Sequence, residues 1–349
     1  MDGRRGAGYL TADGICCDVL SSAAMFPYST LTPDCILDAV ESCGLRCDGR
    51  LQGLNSYENR VYQIWLDDGS AVVAKFYRPQ RWSAAAIQEE HDYALELAAR
   101  EIPVVAPLQF QGRTRHEHAG FQFAVYPRRG GRTPEFEDPD TLQWLGRFIA
   151  RIHAVGALRR FEHRPKLDIE GFGREPVQFV LDGNFVPDDL LPAYESVVAD
   201  VLDRVEQRWE AAGAVRSLRL HGDCHAGNIL WTDAGPHFVD LDDSRMGPAV
   251  QDLWMCLSGD RASQQLQLAS LLEGYCEFYD FDPAQLMLIE ALRTLRIVQY
   301  AGWLARRWDD PAFPASFPFF NTQRYWQDHV LALREQAAAL DEPPLQWQR

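Results

Sequence analysis

The chain has 349 residues, of which 46% are hydrophobic and 24% are charged, so it is an ordinary globular sequence with enough length for two lobes and a large core. Its formal net charge of −16 argues against unspecific binding to nucleic acids or to anionic membranes. No apolar run approaches the length of a membrane-spanning helix, so we expect neither a nucleic acid nor a membrane as partner.

The eight cysteines show no C-x-x-C pair and no spacing typical of a disulfide framework. We interpret them as free thiols in a reducing compartment, and we therefore expect the protein to be cytoplasmic.

Residues 1–30 fit poorly with the rest of the chain. A signal peptide is disfavoured because Asp13 and Asp18 interrupt the apolar stretch that such a peptide needs. We expect an N-terminal tail here, with residues 1–24 either disordered or a misassigned start.

The next hundred residues read as a small β-rich unit. The sequence predicts a helix over 35–42, which Thr32 caps, and a helix over 84–100, which Ser83 caps. Strands are predicted over 45–54, 60–66, 71–77, 108–111 and 121–126. Residues 115–118 are expected to be a solvated loop at the tip of the last hairpin.

Lys75 stands in the middle of the strand predicted over 71–77. A buried lysine is costly unless a carboxylate pairs with it. The following helix offers Glu90, which shares a helical face with the apolar Tyr93 and Leu97. We choose Glu90 as the partner, with Glu89 as the alternative.

The turn over 55–59 joins two predicted strands and is rich in small polar residues. Backbone N–H groups and small side chains in such a turn can form an anion-binding concavity, and Ser56 is the candidate hydroxyl. A plain hairpin turn capped by Asn55 is the alternative interpretation.

The composition changes at residues 126–131, where we place a hinge between two lobes. The second lobe is predicted to be helical, with apolar residues at helical spacing over 142–152 and 191–209. Further helices are predicted over 264–279 and 283–308, followed by a rigid loop over 309–320.

The stretch LRLHGDCHAGNILWTDAGPHFVDLDDSRMGPAVQD, residues 218–252, carries the chemistry. Asp223 lies at the mouth of a loop, Asn228 follows five positions later, and Asp240 ends the next apolar strand. This order suits phosphoryl transfer: one carboxylate receives the proton of the attacking hydroxyl, and an amide oxygen and a second carboxylate hold a metal. Asp242 is a further candidate to assist.

A transition-metal hydrolase with ligands from His221, Asp223, Cys224 and His225 is the rival interpretation of this stretch. No further histidine or cysteine pattern in the chain completes such a site, which disfavours it.

The loop H-G-D-x-x-x-x-N keeps the aspartate-to-asparagine spacing of the protein-kinase loop H-R-D-x-x-x-x-N. HGDCHAGNIL followed by FVDLDD resembles the aminoglycoside phosphotransferases and choline kinases. Together with LNSYENRVYQ, VVAKFYRP, GPAVQDLWM, RRWDDPAFP and EPPLQ, it resembles the bacterial stress response kinase A family. The resemblance covers the chain from about residue 31 to the end.

The resemblance implies an α+β, bilobal protein-kinase-like fold with a small β-rich N-lobe over 31–126, which binds nucleotide, and a larger helical C-lobe over 127–349, which carries catalysis and substrate binding. ATP is the implied donor and Mg²⁺ the implied metal. The implied site consists of Asp223 as the catalytic base, Asn228 and Asp240 as metal ligands, Lys75 and Glu90 at the phosphates, and Ser56 closing over them. Asp252 is expected to brace the catalytic loop.

The family acts on serine or threonine of proteins, which implies a protein substrate and a role in stress response; a monomer is expected. A small-molecule kinase acting on an amino alcohol or aminosugar is the alternative, and the acidic net charge would suit such cations. A nucleotide-binding pseudokinase scaffold is a second alternative, which the intact Lys75, Asp223, Asn228 and Asp240 disfavour.

Overall fold

A five-stranded antiparallel sheet forms the first lobe of the computed structural model, which describes residues 26–347. The strands, in the spatial order β1-β2-β3-β5-β4, are β1 Cys47–Gly53, β2 Arg60–Leu66, β3 Ala71–Phe76, β4 His116–His118 and β5 Phe121–Pro127. Because β3 is central, Lys75 lies between Val61 of β2 and Ala124 of β5. Its side chain is therefore surrounded by strands and is buried.

Two helices cover this sheet, α1 Pro33–Glu41 and α2 Ala84–Ala98. The predicted caps of both are confirmed: Thr32 accepts from the N–H of Cys35, and Ser83 accepts from the N–H of Ala86. Side chains alternate across a strand, so Phe76 packs in a core with α1 while the next residue, Tyr77, packs with α2.

The first strand of the last hairpin is an error of the sequence analysis. Residues 116–118 form β4, whereas the segment predicted over 108–111 contacts β5 through the Leu108 N–H and the Val125 carbonyl at 2.7 Å. A two-residue turn with positive φ at Ala119 and Gly120 closes the hairpin. The sequence His-Glu-His has no apolar alternation, which is why the pattern did not indicate a strand.

The N-terminal tail predicted over residues 1–24 lies outside the described residues. Residues 26–30, also assigned to the tail, are described. The Tyr28 hydroxyl donates to the backbone oxygens of Glu58 and Phe76, and its ring stacks on Phe121. Residues 26–30 thus pack on the first lobe and do not belong to a tail.

The second lobe is helical and holds most of the buried apolar side chains. Its helices are α3 Pro139–Gly156, α4 Glu175–Asp182, α5 Leu191–Ala212, α6 Val250–Trp254, α7 Arg261–Tyr275, α8 Ile289–Arg306, α9 Ala312–Ser316 and α10 Gln323–Asp341. The helix predicted over 283–308 begins as a 3-10 segment, Pro283–Leu288, before α8. The loop expected over 309–320 contains α9 and buries Phe313 and Phe320.

Two short antiparallel pairs frame the polar loops of this lobe. β6 Ser217–Arg219 pairs with β9 Met246–Pro248, and β7 Ile229–Thr232 pairs with β8 Gly235–Phe238. Phe238 also exchanges backbone hydrogen bonds with residues 103 and 105 of the first lobe. Among residues 26–347, no helix has the length and apolar character needed to cross a membrane.

Candidate active site

A cavity of about 310 Å³ lies between the two lobes. Part of its wall is apolar, and the segment 126–129 at the predicted hinge contributes to it. The cavity brings together five of the predicted site residues, which are Ser56, Lys75, Glu90, Asn228 and Asp240. A partly apolar pocket with a few convergent charged groups between two lobes is the usual form of a small-ligand site.

Three carboxylates surround the ammonium group of Lys75. Its Nζ lies 2.8 Å from Asp240 Oδ1, 3.3 Å from Asp242 Oδ1 and 3.7 Å from Glu90 Oε1. Burial opposes the charge, but the three carboxylates raise the pKa of Lys75 well above its usual value. Lys75 is therefore a permanent cation facing the cavity.

The two neighbouring glutamates of α2 have different partners. Glu90 is the one that contacts Lys75, whereas Glu89 accepts from the backbone N–H groups of residues 162–164 at 2.6 to 3.0 Å. Burial, reinforced by Asp242, raises the pKa of Glu90 to about 7, although Lys75 and Arg164 oppose this rise.

We expect the Glu90→Gln variant to gain stability relative to the natural protein as the pH rises. The Glu90 carboxyl has a pKa of about 7 in the folded protein and an ordinary value of 4.5 in the unfolded chain. Its protonation therefore stabilises the fold fully below pH 4.5, and this contribution is lost as the pH rises through 7. The glutamine side chain does not titrate, so the variant lacks this pH-dependent contribution. The difference in the free energy of unfolding should shift by about 2–3 kcal/mol towards the variant between pH 5 and pH 8. Urea unfolding at both pH values measures it, and an equal difference at both would contradict the assignment.

Asp240 and Asp242, which follow Val239, have different environments. Asp240 has φ of +58°, a left-handed conformation uncommon outside glycine, and half of its side chain is exposed next to the cavity. Asp242 is buried, accepts from Asn59 at 3.1 Å and is ion-paired with Arg81. Although burial opposes it, Arg81 and Lys75 hold the pKa of Asp242 below its usual range. Asp242 is thus a buried, ion-paired support of the site, whereas Asp240 exposes its carboxylate to the cavity.

Asp223 lies beside the cavity and is tied to it through Asn228. The Nδ2 atom of Asn228 donates to the backbone oxygen of Asp223 at 2.9 Å and to Asp223 Oδ2 at 3.3 Å. The donor half of this amide is thereby used, so its oxygen is the half that remains for a metal. Two further groups contact the Asp223 carboxylate: Arg296 Nη1 at 2.7 Å and His225 Nε2 at 3.3 Å.

The oxygens of Asn228 and Asp240 fit Mg²⁺. This ion prefers oxygen ligands and is usually held by one or two carboxylates together with substrate phosphates. Within residues 26–347 no cluster of three histidine, cysteine, aspartate or glutamate side chains is arranged to hold a metal. Cys224 is buried and the His221 ring binds the Val239 carbonyl, so the hydrolase alternative has no support in the fold.

Asp252 fixes the backbone of the loop that carries Asp223. Its carboxylate accepts from the N–H groups of His221 and Gly222, both at 2.9 Å, and from His153 Nε2 at 3.0 Å. The His221 ring in turn contacts the carbonyl of Val239, next to Asp240. Each of these polar groups is buried and bonded, so the backbone before Asp223 and before Asp240 is held in one network.

Gly222 is required by the close approach of two loops. Its φ is +89°, and a Cβ atom added there would lie 2.1 Å from the carbonyl oxygen of Asp243. Residues other than glycine rarely adopt this φ, and the backbone of Asp243 could move away only at a high cost in free energy.

We expect Gly222→Ala to lower the free energy of unfolding by about 3 kcal/mol or more and to reduce activity strongly. Gly44 is a matched control, because its φ is also +89° but an added Cβ would meet no atom within 4 Å. Gly44→Ala should cost only the conformational strain, about 1 kcal/mol. Thermal unfolding of both variants measures the contrast, and equal losses would show that the clash is relieved.

Several residues of the site were not found from the sequence. Asn59 and Arg81 hold Asp242, and Arg296 contacts Asp223. No pattern in the sequence singles out Arg296 among the arginines of the helix predicted over 283–308. It lies 73 positions from Asp223 in the chain, and no local pattern signals a contact over such a distance.

Comparison with known proteins identifies the family of the chain. The pattern of the phosphotransferase enzyme family matches residues 50–289. Stress response kinase A of Escherichia coli (strain K12) is 48% identical over 321 residues, which cover 92% of this chain and 97% of the relative. The chain belongs to the phosphotransferase enzyme family, in its stress response kinase A branch. Another member, the serine/threonine protein kinase RdoA of Salmonella typhimurium (strain LT2), is 47% identical over the same share of both chains.

Solved structures confirm the predicted bilobal fold of this phosphotransferase. An amicoumacin kinase in complex with AMP-PNP, Ca²⁺ and Ami superimposes with a TM-score of 0.67 at 19% identity, covering 88% of this chain and 93% of that one. A microcompartment-associated aminopropanol kinase gives a TM-score of 0.64 at 18% identity, covering 84% and 91%. At these identities the likeness concerns the fold.

Proposed function

We propose that this phosphotransferase is an ATP- and Mg²⁺-dependent serine/threonine protein kinase that acts in a bacterial stress response. The names of its relatives, which share almost half of its residues over nearly their whole length, support this choice of substrate and role. The observation that carries the enzymatic part is the short link from Asp223 through Asn228 to the cavity that holds Lys75 and Asp240.

In this proposal the nucleotide occupies the cavity between the lobes. Its base lies against the apolar wall and the hinge segment 126–129, and its phosphates lie at Lys75. Glu90, 3.7 Å from the ammonium, keeps Lys75 oriented, and Ser56 covers the phosphates from the turn before β2. A fixed cation beside transferring phosphoryl oxygens stabilises the charge that they carry in the transition state.

Asn228 and Asp240 would hold Mg²⁺ through their side-chain oxygens. When bound, the ion neutralises negative charge on the phosphates and aligns them for transfer. Lys75 contacts Asp240 at 2.8 Å and so positions the same carboxylate from the other side.

Asp223 receives the proton of the acceptor hydroxyl as that oxygen bonds to the γ-phosphorus, while the bond from this phosphorus to the bridging oxygen breaks and ADP leaves. The aspartate must be charged to do so. Burial opposes its charge, but the hydrogen bond from His225 and the positive charge of Arg296 keep the pKa of Asp223 below its usual range. The network around Asp252 keeps the loop backbone fixed while the hydroxyl approaches.

A small-molecule kinase is the second candidate, because two similar solved structures are an amicoumacin kinase and an aminopropanol kinase. The two functions are separated by incubating the protein with γ-labelled ATP and Mg²⁺, first with generic protein substrates and then with a panel of amino alcohols and aminosugars. Label on serine or threonine supports the proposal. Label confined to small alcohols would replace it, and nucleotide binding without transfer would favour a pseudokinase scaffold.

A further inference from the structure

An arginine of α8, Arg296, contacts Asp223, the proposed catalytic base. Arg296 Nη1 lies 2.7 Å from Asp223 Oδ1, and about half of the arginine side chain is exposed. A guanidinium has five N–H donors in a planar fork, so most of its donors remain available beside Asp223. A permanent ion pair at this position would compete with the acceptor hydroxyl for the same oxygen and would weaken the base. The acceptor must therefore displace Arg296 from Asp223 before its hydroxyl can be deprotonated.

An aromatic surface continues from Arg296 towards the turn over the phosphates. Tyr300 follows one helical turn later and Trp303 one turn after that, with ring centroids 5.7 Å apart. Tyr57, next to Ser56, is joined to this surface through Phe317, whose ring centroid lies 4.7 Å from that of Tyr57 and 5.6 Å from that of Trp303. Tyr57 and Tyr300 are 50% and 40% exposed. We call Arg296, Tyr300 and Tyr57 the acceptor strip.

Carboxylates near the acceptor strip are already paired. Glu58, next to Tyr57, accepts from Trp303 at 2.6 Å and from Arg307 at 2.8 Å. Glu290, at the start of α8, accepts from Arg293 at 2.8 Å and from a glutamine of α10 at 2.8 Å. A cationic group could bind Glu58 or Glu290 only by displacing one of these partners. The charge that the strip offers beside Asp223 is instead the positive charge of Arg296.

We propose that the acceptor carries an anionic group beside its hydroxyl and that Arg296 binds this group. The inference rests on the function proposed above, and for a polypeptide acceptor it means an aspartate or glutamate next to the phosphorylated serine or threonine. Guanidinium and carboxylate form short, paired hydrogen bonds. Exchanging Asp223 for the carboxylate of the acceptor keeps Arg296 paired and releases Asp223 Oδ1 for the hydroxyl proton. Arg296 thus determines specificity, whereas Asp223 performs the proton transfer.

The test uses the full chain, Mg²⁺ and ATP with three peptides that are identical except for glutamate, glutamine or lysine on both sides of a single serine. We expect kcat/KM for the glutamate peptide to exceed that for the glutamine peptide about tenfold or more, with the lysine peptide lowest. Arg296→Gln should bring the glutamate-to-glutamine ratio close to one, because the cation that distinguishes the two peptides is then absent. Arg296→Lys should restore part of the preference, because it keeps the charge but loses the planar fork.

Arg100→Gln is the matched control, since the Arg100 side chain is 50% exposed against 48% for Arg296. It follows α2 and is paired with Glu96 of that helix, away from the strip. The Arg100→Gln variant should keep the preference of the natural protein. Equal rates with the three peptides, a preference that survives in Arg296→Gln, or an equal fall with every peptide in that variant would overturn the role of Arg296.

The same assay with glycerate and glycerol separates this inference from the protein-kinase proposal. Transfer to glycerate over glycerol that depends on Arg296, without transfer to any peptide, would support the anionic acceptor and overturn the polypeptide substrate. Transfer to peptides without charge preference would do the reverse. Absence of transfer to every acceptor would overturn both.

Discussion

Replacing Asp223 by asparagine should lower kcat by roughly 10²–10⁴-fold and leave the affinity for ATP nearly unchanged. Asparagine keeps the shape of the side chain and can still contact Asn228, His225 and Arg296, but it cannot take the proton of the acceptor. Because Asp223 does not line the nucleotide cavity, the loss should fall on the chemical step. Steady-state rates and calorimetric titration with ATP measure the two quantities separately.

Lys75→Met is the comparison for this experiment. The Lys75 ammonium faces the cavity, so its removal should weaken nucleotide placement as well as rate, and it leaves Asp240, Asp242 and Glu90 without their shared cation. Near-normal turnover of Asp223→Asn, or a defect that is mainly in ATP binding, would show that the assigned roles are wrong and would favour the scaffold interpretation.

Asp240→Ala should abolish phosphoryl transfer in a protein that remains folded. The variant loses a proposed metal ligand, and metal stabilisation of transition-state charge contributes several kcal/mol, so the rate should fall by roughly a thousandfold or more. The fold should persist, because Lys75 keeps Asp242 at 3.3 Å and Glu90 at 3.7 Å as partners. Calorimetry with and without Mg²⁺ should show that the metal no longer strengthens ATP binding.

Asp233→Ala is the control for loss of a carboxylate from the same segment. Asp233 is exposed in the turn between β7 and β8 and should be dispensable. Retained turnover of Asp240→Ala at saturating Mg²⁺ would rule out Asp240 as a metal ligand, and a melting temperature well below that of the natural protein would trace the loss of activity to the fold instead.

The sequence predicted the elements whose signals are local. The N-caps at Thr32 and Ser83 and the strands at 60–66 and 71–76 were found because capping depends on three or four residues and alternation on five or six. The His-Glu-His strand and the short helix after residue 311 were missed, because pairing partners and burial elsewhere in the chain stabilise them.

The candidate residues themselves also came from the sequence, since Asp223, Asn228 and Asp240 lie within eighteen positions of each other on one motif. Tertiary structure alone decided which of the two glutamates faces Lys75, that Asp242 is buried on Arg81 while Asp240 faces the cavity, and that Arg296 reaches Asp223. These contacts join residues 15 to 161 positions apart. Their geometry depends on how helices and strands pack, which residue type and spacing do not encode locally. The motif thus determined the class of chemistry, and packing determined the electrostatic environment in which each carboxylate would act.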